Sequence, residues 1–140
     1  MKSVAEVMTR DVKTLGPQDT IAAAAKLMAD HGVGAIPVCE GGKIVAMVTD
    51  RDLVVRGIAL GHDSRTTPLT QVMSGDVRSV ESDADVSAVF EQMSDKQIRR
   101  MPVVNSEKKL VGIVSLGDLA VKDGSDSKAV AASLRDISQP

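Results

Sequence analysis

The chain carries one pattern twice, and a duplication constrains a fold more tightly than any composition does. Val7-Met8-Thr9-Arg10-Asp11-Val12 returns as Val72-Met73-Ser74-Gly75-Asp76-Val77, an offset of 65 positions. The offset holds onward, with Ile21 mapping to Val86, Ala25 to Phe90, Met28 to Met93, Asp30 to Asp95, Val33 to Ile98, Pro37 to Pro102 and Val38 to Val103. One extra residue near Lys108 raises it to 66, and Ile44-Val45-Ala46-Met47-Val48-Thr49 reappears as Leu110-Val111-Gly112-Ile113-Val114-Ser115, with Asp52 echoed by Asp118. A copy of roughly sixty residues is too short to bury a secure core alone. The two copies are therefore expected to share one core and meet face to face across a pseudo-two-fold axis, with the seam between them as the natural ligand site.

Composition narrows the function classes. The chain has 140 residues, 43% of them hydrophobic, which fits one compact domain built from two halves. A net charge of −2 provides no general attraction to phosphate backbones or anionic lipid, so neither nucleic acid nor a membrane is expected as partner. The single cysteine, Cys39, cannot form an internal disulfide, and with His31 and His62 it is too scattered for a structural metal site. A reducing cytoplasm is the expected location. No apolar signal core and no run of about 18 apolar residues occurs, so a soluble, unprocessed chain is expected. Phe90 is the one aromatic residue, so a planar ligand would be sandwiched by aliphatic side chains and backbone.

Local signals place the elements. Ser3 and Glu6 have capping-box spacing before a short helix to Met8, and its echo runs from Pro68 to Met73. Short extended pieces follow, Val12 to Leu15 and Val77 to Val80. Asp19 or Thr20 can cap a helix to about His31, with Ile21, Ala24, Ala25 and Met28 on one face, and Val86, Val89, Phe90 and Met93 repeat that face. Gly32 stops the first helix. Ala35 to Cys39 reads as a strand, in which Pro37 demands an edge or a strand start. Gly41-Gly42 makes a hairpin to Lys43–Val48, and Asn105 to Lys108 turns the second copy back into Leu110–Val114. Each half reads β-α-β-β-α, an α+β (mixed α/β) fold. The expected boundaries are a first motif over 1–61, a linker over 62–67, a second motif over 68–123 and a tail over 124–140, with an amphipathic helix from Ser125 to Ile137.

Catalytic signals are thin, since no Gly-rich phosphate loop, nucleophile elbow or metal-binding helical pair appears. His31, before Gly32, reads as a partner of the helix C-terminus, and Cys39 as inert packing. The sharper pattern is a hydrophobic strand ending in a hydroxyl with an aspartate three residues on, Thr49 with Asp52 and Ser115 with Asp118. One reading is a helix cap. The other is a site, in which the carboxylate accepts ribose hydroxyls while the hydroxyl and free N–H groups approach phosphate.

The run Gly34-Ala35-Ile36-Pro37-Val38 with Met47-Val48-Thr49-Asp50-Arg51-Asp52-Leu53, and its echo Arg99-Arg100-Met101-Pro102-Val103-Val104 with Gly112-Ile113-Val114-Ser115-Leu116-Gly117-Asp118-Leu119, resembles a tandem pair of CBS motifs, or Bateman module. The resemblance spans Ser3 to about Lys122 and is nearest to short stand-alone bacterial CBS-pair proteins. It implies two clefts between the motifs that bind an adenosine compound (AMP, ADP, ATP, NAD or S-adenosylmethionine) as regulatory ligand, a non-enzymatic, energy-sensing role toward a separate protein target, and a homodimer formed through helices. One cleft would draw on Thr14, Val33, Gly34 and Ala35 with Arg99, Arg100, Ile113, Ser115 and Asp118. The other would draw on Ser79 and the backbone from Ile98 to Arg100, with Met47, Thr49 and Asp52. Arg99 and Arg100 can serve as phosphate contacts, as interface residues or as a solvated pair; their counterparts Gly34 and Ala35 offer no charge. The alternative function is a structural or partner-docking module with degenerate clefts.

Overall fold

The computed structural model describes residues 2–119, and the helix expected from Ser125 to Ile137 lies outside them. The described residues form two compact units whose memberships cross the boundary between repeats. One unit is continuous, Lys13–Val77, and the other joins 2–12 to 78–119.

In the continuous unit, α2 (Ile21–His31) starts at Thr20, whose Oγ1 accepts the Ala23 N–H at 3.2 Å. It ends at Gly32, which turns left-handed at φ 63°, a conformation that side chains resist. Antiparallel strands β1 (Ala35–Glu40) and β2 (Lys43–Thr49) are joined by Gly41 and Gly42 at φ 61° and 82°. Two positive-φ residues make the tight turn whose twist matches its strands. Pro37 lies inside β1, opposite Met47. Its carbonyl accepts the Leu15 N–H at 3.2 Å, and the Cys39 N–H donates to Leu15 O at 2.8 Å, so Pro37 faces the edge that Leu15 bridges and removes no bond to β2. The strand expected over 12–15 is reduced to that one bridge, Leu15 with Val38, because Gly16 and Pro17 follow immediately. After β2 come α3 (Asp50–Asp52), a π-helical stretch (Leu53–Ile58) and a 3₁₀ turn (Leu69–Gln71).

The second unit opens with α1 (Val4–Val7), where the Ser3 N–H donates to Glu6 Oε2 at 2.8 Å as its capping-box spacing predicts. Then come β3 (Val80–Glu81), α4 (Val86–Lys96), β4 (Arg100–Val104), β5 (Leu110–Ser115) and α5 (Leu116–Asp118). This order reproduces β-α-β-β-α, with β3 parallel and β5 antiparallel to the central β4. The extra residue of this copy sits in the hairpin loop, where Asn105 Oδ1 accepts the N–H groups of Glu107 and Lys109, both at 3.0 Å, and Lys108 turns to φ 67°.

Where one shared core was expected, each unit has its own buried cluster. The reason is an exchange of short segments. Val4, Val7 and Met8 of the first repeat pack with Val86, Val89, Phe90, Met93, Met101 and Val114 of the second. Leu69 and Val72 of the second repeat pack with Ile21, Met28, Ile36, Val48 and Leu53 of the first. Backbone bonds fix both, as Val4 N–H donates to Ala84 O at 2.8 Å and Leu69 N–H to Asp19 O at 2.8 Å. Covering a roughly sixty-residue half with a borrowed apolar turn is one way for so small a unit to complete its core.

Candidate functional site

Antiparallel register brings the start of one strand against the end of the next in both units. Ala35 pairs with Thr49, and Arg100 pairs with Ser115. The following N–H groups close the corner: Asp50 N–H donates to Gly34 O at 2.9 Å, and Leu116 N–H to Arg99 O at 3.0 Å. Val33 and Ile98 stand at equivalent joints, their N–H groups donating to Met28 O and Met93 O, both at 3.1 Å. Met47 lies opposite Pro37 and bridges Ser74, while Ile113 lies opposite Pro102 and bridges Thr9. Thr14 and Ser79 are exposed, each one position before the residue that pairs alongside the hairpin, Leu15 with Val38 and Val80 with Val103. Thus Thr14, Val33, Gly34, Ala35, Met47, Thr49 and Asp52 belong to the continuous unit, and Ser79, Ile98, Arg99, Arg100, Ile113, Ser115 and Asp118 to the other.

Both repeated aspartates are engaged as caps. Thr49 N–H donates to Asp52 Oδ2 at 2.9 Å and Asp52 N–H to Thr49 Oγ1 at 3.1 Å. Ser115 N–H donates to Asp118 Oδ2 at 3.2 Å and Asp118 N–H to Ser115 Oγ at 3.0 Å. These reciprocal bonds hold each carboxylate at the first turn of its helix, beside backbone donors, in a fixed orientation. The capping reading is therefore realised twice, and it positions the group a site would use.

Three contributors had no clear sequence signal. Thr9 donates its hydroxyl to Asp118 Oδ2 at 3.4 Å, a contact between residues 109 positions apart. The hydroxyl repeated at Thr9 and Ser74 was the available hint. Arg56 Nη1 lies 4.0 Å from Asp52 Oδ1 and donates to the carbonyls of Val72 and Met73 at 3.3 and 3.4 Å. Asp50 packs over Gly34, where an added Cβ would lie 3.0 Å from its Oδ2. Among the described residues no group of three or more His, Cys, Asp or Glu side chains could hold a metal ion. The Cys39 thiol is pushed above its ordinary value by burial, which disfavours the reactive thiolate.

The CBS domain family matches residues 4–57 and again residues 69–122. The chain is 45% identical to the CBS domain-containing protein YhcV of Bacillus subtilis, over 94% of this chain and 93% of that protein. It is 35% identical to Hypoxic response protein 1 of Mycobacterium tuberculosis, over 86% of this chain and 84% of that protein. A crystal structure of Hypoxic Response Protein I with two coordinated zinc ions superposes with a TM-score of 0.78 at 32% identity, covering 85% of this chain and 97% of that one. The CBS domain pair of MJ0100, in complex with 5′-methylthioadenosine and S-adenosyl-L-methionine, superposes with a TM-score of 0.74 at 26% identity, covering 89% and 97%. The chain belongs to the CBS domain family, as a tandem pair of CBS domains of mixed helices and sheet.

Proposed function

We propose that the chain is a non-catalytic regulatory module that binds an adenosine-containing ligand (AMP, ADP, ATP, NAD or S-adenosylmethionine) in the clefts expected of paired CBS motifs, and acts on a separate protein. The observation that carries this reading is the duplicated corner. In both units a capped hydroxyl and carboxylate sit against the backbone at a strand start, which offers carboxylate acceptors for a ribose and, in the Thr49 or Ser115 hydroxyl, a donor for a phosphate or ring edge. The adenosine compounds held by the related MJ0100 pair support the ligand class. Fourteen residues would contribute, Thr14, Val33 to Ala35, Met47, Thr49, Asp52, Ser79, Ile98 to Arg100, Ile113, Ser115 and Asp118, with Thr9 as a further candidate beside Asp118.

The same proposal includes a cytoplasmic homodimer. It is supported by four large apolar side chains exposed within seven positions, Val54 (54%), Val55 (44%), Ile58 (63%) and Leu60 (71%), a cluster that a second copy would cover. No helix among the described residues is long and apolar enough to cross a membrane. That exposed cluster also favours the second reading, a docking module whose corners are helix caps and nothing more. Calorimetric titration with adenosine, AMP, ATP, NAD and S-adenosylmethionine separates the two. Micromolar to submillimolar binding by one of them supports the ligand reading, and absence of binding by all at millimolar concentration leaves the docking module.

A further inference from the structure

The two corners share a backbone and differ in charge. At the position where the first repeat has Gly34 the second has Arg99, and where the first has Asp50 the second has Leu116. Both pairs are joined by the same bond, Asp50 N–H to Gly34 O at 2.9 Å and Leu116 N–H to Arg99 O at 3.0 Å, so the substitutions face one another across one corner in each unit. They are also sterically matched. A Cβ on Gly34 would meet Asp50 Oδ2 at 3.0 Å and Cγ at 3.5 Å, so this carboxylate occupies the space over residue 34 that a side chain there would enter. In the second repeat no carboxylate stands at that place, because Leu116 is 4% exposed and belongs to the core. Asp50 itself is exposed, with Oδ1 accepting the Arg51 N–H at 2.9 Å, which fixes its orientation. The first-repeat corner thus presents Asp50 and Asp52 where the second presents Arg99, Arg100 and Asp118.

We propose that Asp50 is a specificity-determining residue, making the first-repeat corner reject phosphate and favour an adenosine ligand that is uncharged or carries a positive group. This rests on the adenosine-ligand reading above, with each corner and the capped carboxylate of its own unit, Asp52 or Asp118, taken as one site in place of the grouping that the family resemblance implies, and it adds the charge class of the ligand at one of the two corners. Two unit charges about 6 to 8 Å apart at a partly exposed site, with an effective dielectric of roughly 40 to 80, shift affinity by about three- to tenfold, and salt screens part of that. A missing arginine removes attraction to phosphate. A carboxylate in its place adds repulsion, so the preference changes sign.

The test titrates adenosine, AMP and S-adenosylmethionine into the full chain and into Asp50→Asn at low salt, with thermal melting as the folding control. The asparagine keeps an acceptor for the Arg51 N–H, so the fold is expected to be unchanged. A second variant, Asp30→Asn, removes the same charge from the exposed ion pair with Lys26 on α2. Asp50→Asn is expected to raise the AMP-to-adenosine affinity ratio about three- to tenfold and to weaken S-adenosylmethionine by a similar factor, with Asp30→Asn leaving both at wild-type values. An unchanged ratio in Asp50→Asn, or an equal shift in Asp30→Asn, overturns the role of Asp50 while the ligand-binding function stands. If the wild-type chain binds none of the three probes at millimolar concentration, the ligand-binding function itself fails and the inference falls with it.

Discussion

Gly112 lies in β5 where the exchanged N-terminal segment comes closest, and Gly112→Ala is expected to loosen that segment. A Cβ there would stand 2.6 Å from Met8 Sδ, 2.9 Å from Met8 Cγ and 2.8 Å from Thr9 O. The Met8 thioether can swing aside. Thr9 O cannot, because it accepts the Ile113 N–H at 2.9 Å while the Thr9 N–H donates to Ile113 O at 2.8 Å. Restoring ordinary contact would move the Thr9 backbone by roughly half an ångström or more and strain both bonds, each contributing about 0.5 to 1.5 kcal/mol. Overpacking of this kind costs about 1 to 3 kcal/mol, so a loss of about 2 to 4 kcal/mol follows, or a fall in Tm of roughly 6 to 12 °C for a chain this long. The corresponding position in the first repeat is Ala46, which is fully buried beside the equivalent bridge of Met47 with Ser74, whose bonds of 3.1 and 3.0 Å are slightly longer than those of Thr9 with Ile113. Thermal and urea unfolding measure the stability, and hydrogen exchange at the Ile113 amide reports the bridge directly. A melting point within about 1 °C of wild type, with Ile113 still protected, would show that Met8 and Thr9 have room to yield and would refute the steric reasoning.

Asp118→Ala removes both a ligand acceptor and a cap, so nucleotide binding is expected to weaken about ten- to a hundredfold while stability falls by about 0.5 to 2 kcal/mol; titration and melting read the two separately, and unchanged affinity in a stable variant counts against the site. Replacing Arg99 and Arg100 together with alanine is expected to erase most of the discrimination between AMP and adenosine, and an unchanged ratio would make them surface or interface charges. Light scattering at micromolar concentration should give twice the 14.7 kDa chain mass, with Ile58→Glu shifting it toward the monomer; a wild-type mass near 14.7 kDa would refute the dimer. For Cys39, burial raises the folded-state value, so the neutral thiol is the favoured form and its contribution to stability is present below the ordinary value of 9.0 and lost as pH rises through the folded value. Alkylation at pH 8 should accordingly be slower in the native than in the unfolded chain, and equal rates would contradict the burial.

The local features were legible in the sequence because short-range bonds decide them. Thr20, Thr49 and Ser115 cap helices through bonds spanning three residues, Gly32 stops α2, and Gly41-Gly42 turns the hairpin, each within one turn of chain. The duplication likewise showed that whatever corner one repeat builds, the other builds too. Sequence could not show which segment covers which core. The apolar turn of Val4, Val7 and Met8 and that of Leu69, Val72 and Met73 have nearly the same pattern, so periodicity places either on either half, and only tertiary packing assigns them crosswise. The same holds for contacts that depend on that assignment or on strand register: Thr9 with Asp118, Met8 over Gly112, and the Asp50 carboxylate over Gly34. Such contacts join residues from 16 to 109 positions apart, and their geometry is set by how strands and borrowed turns pack, which composition and spacing along the chain do not encode.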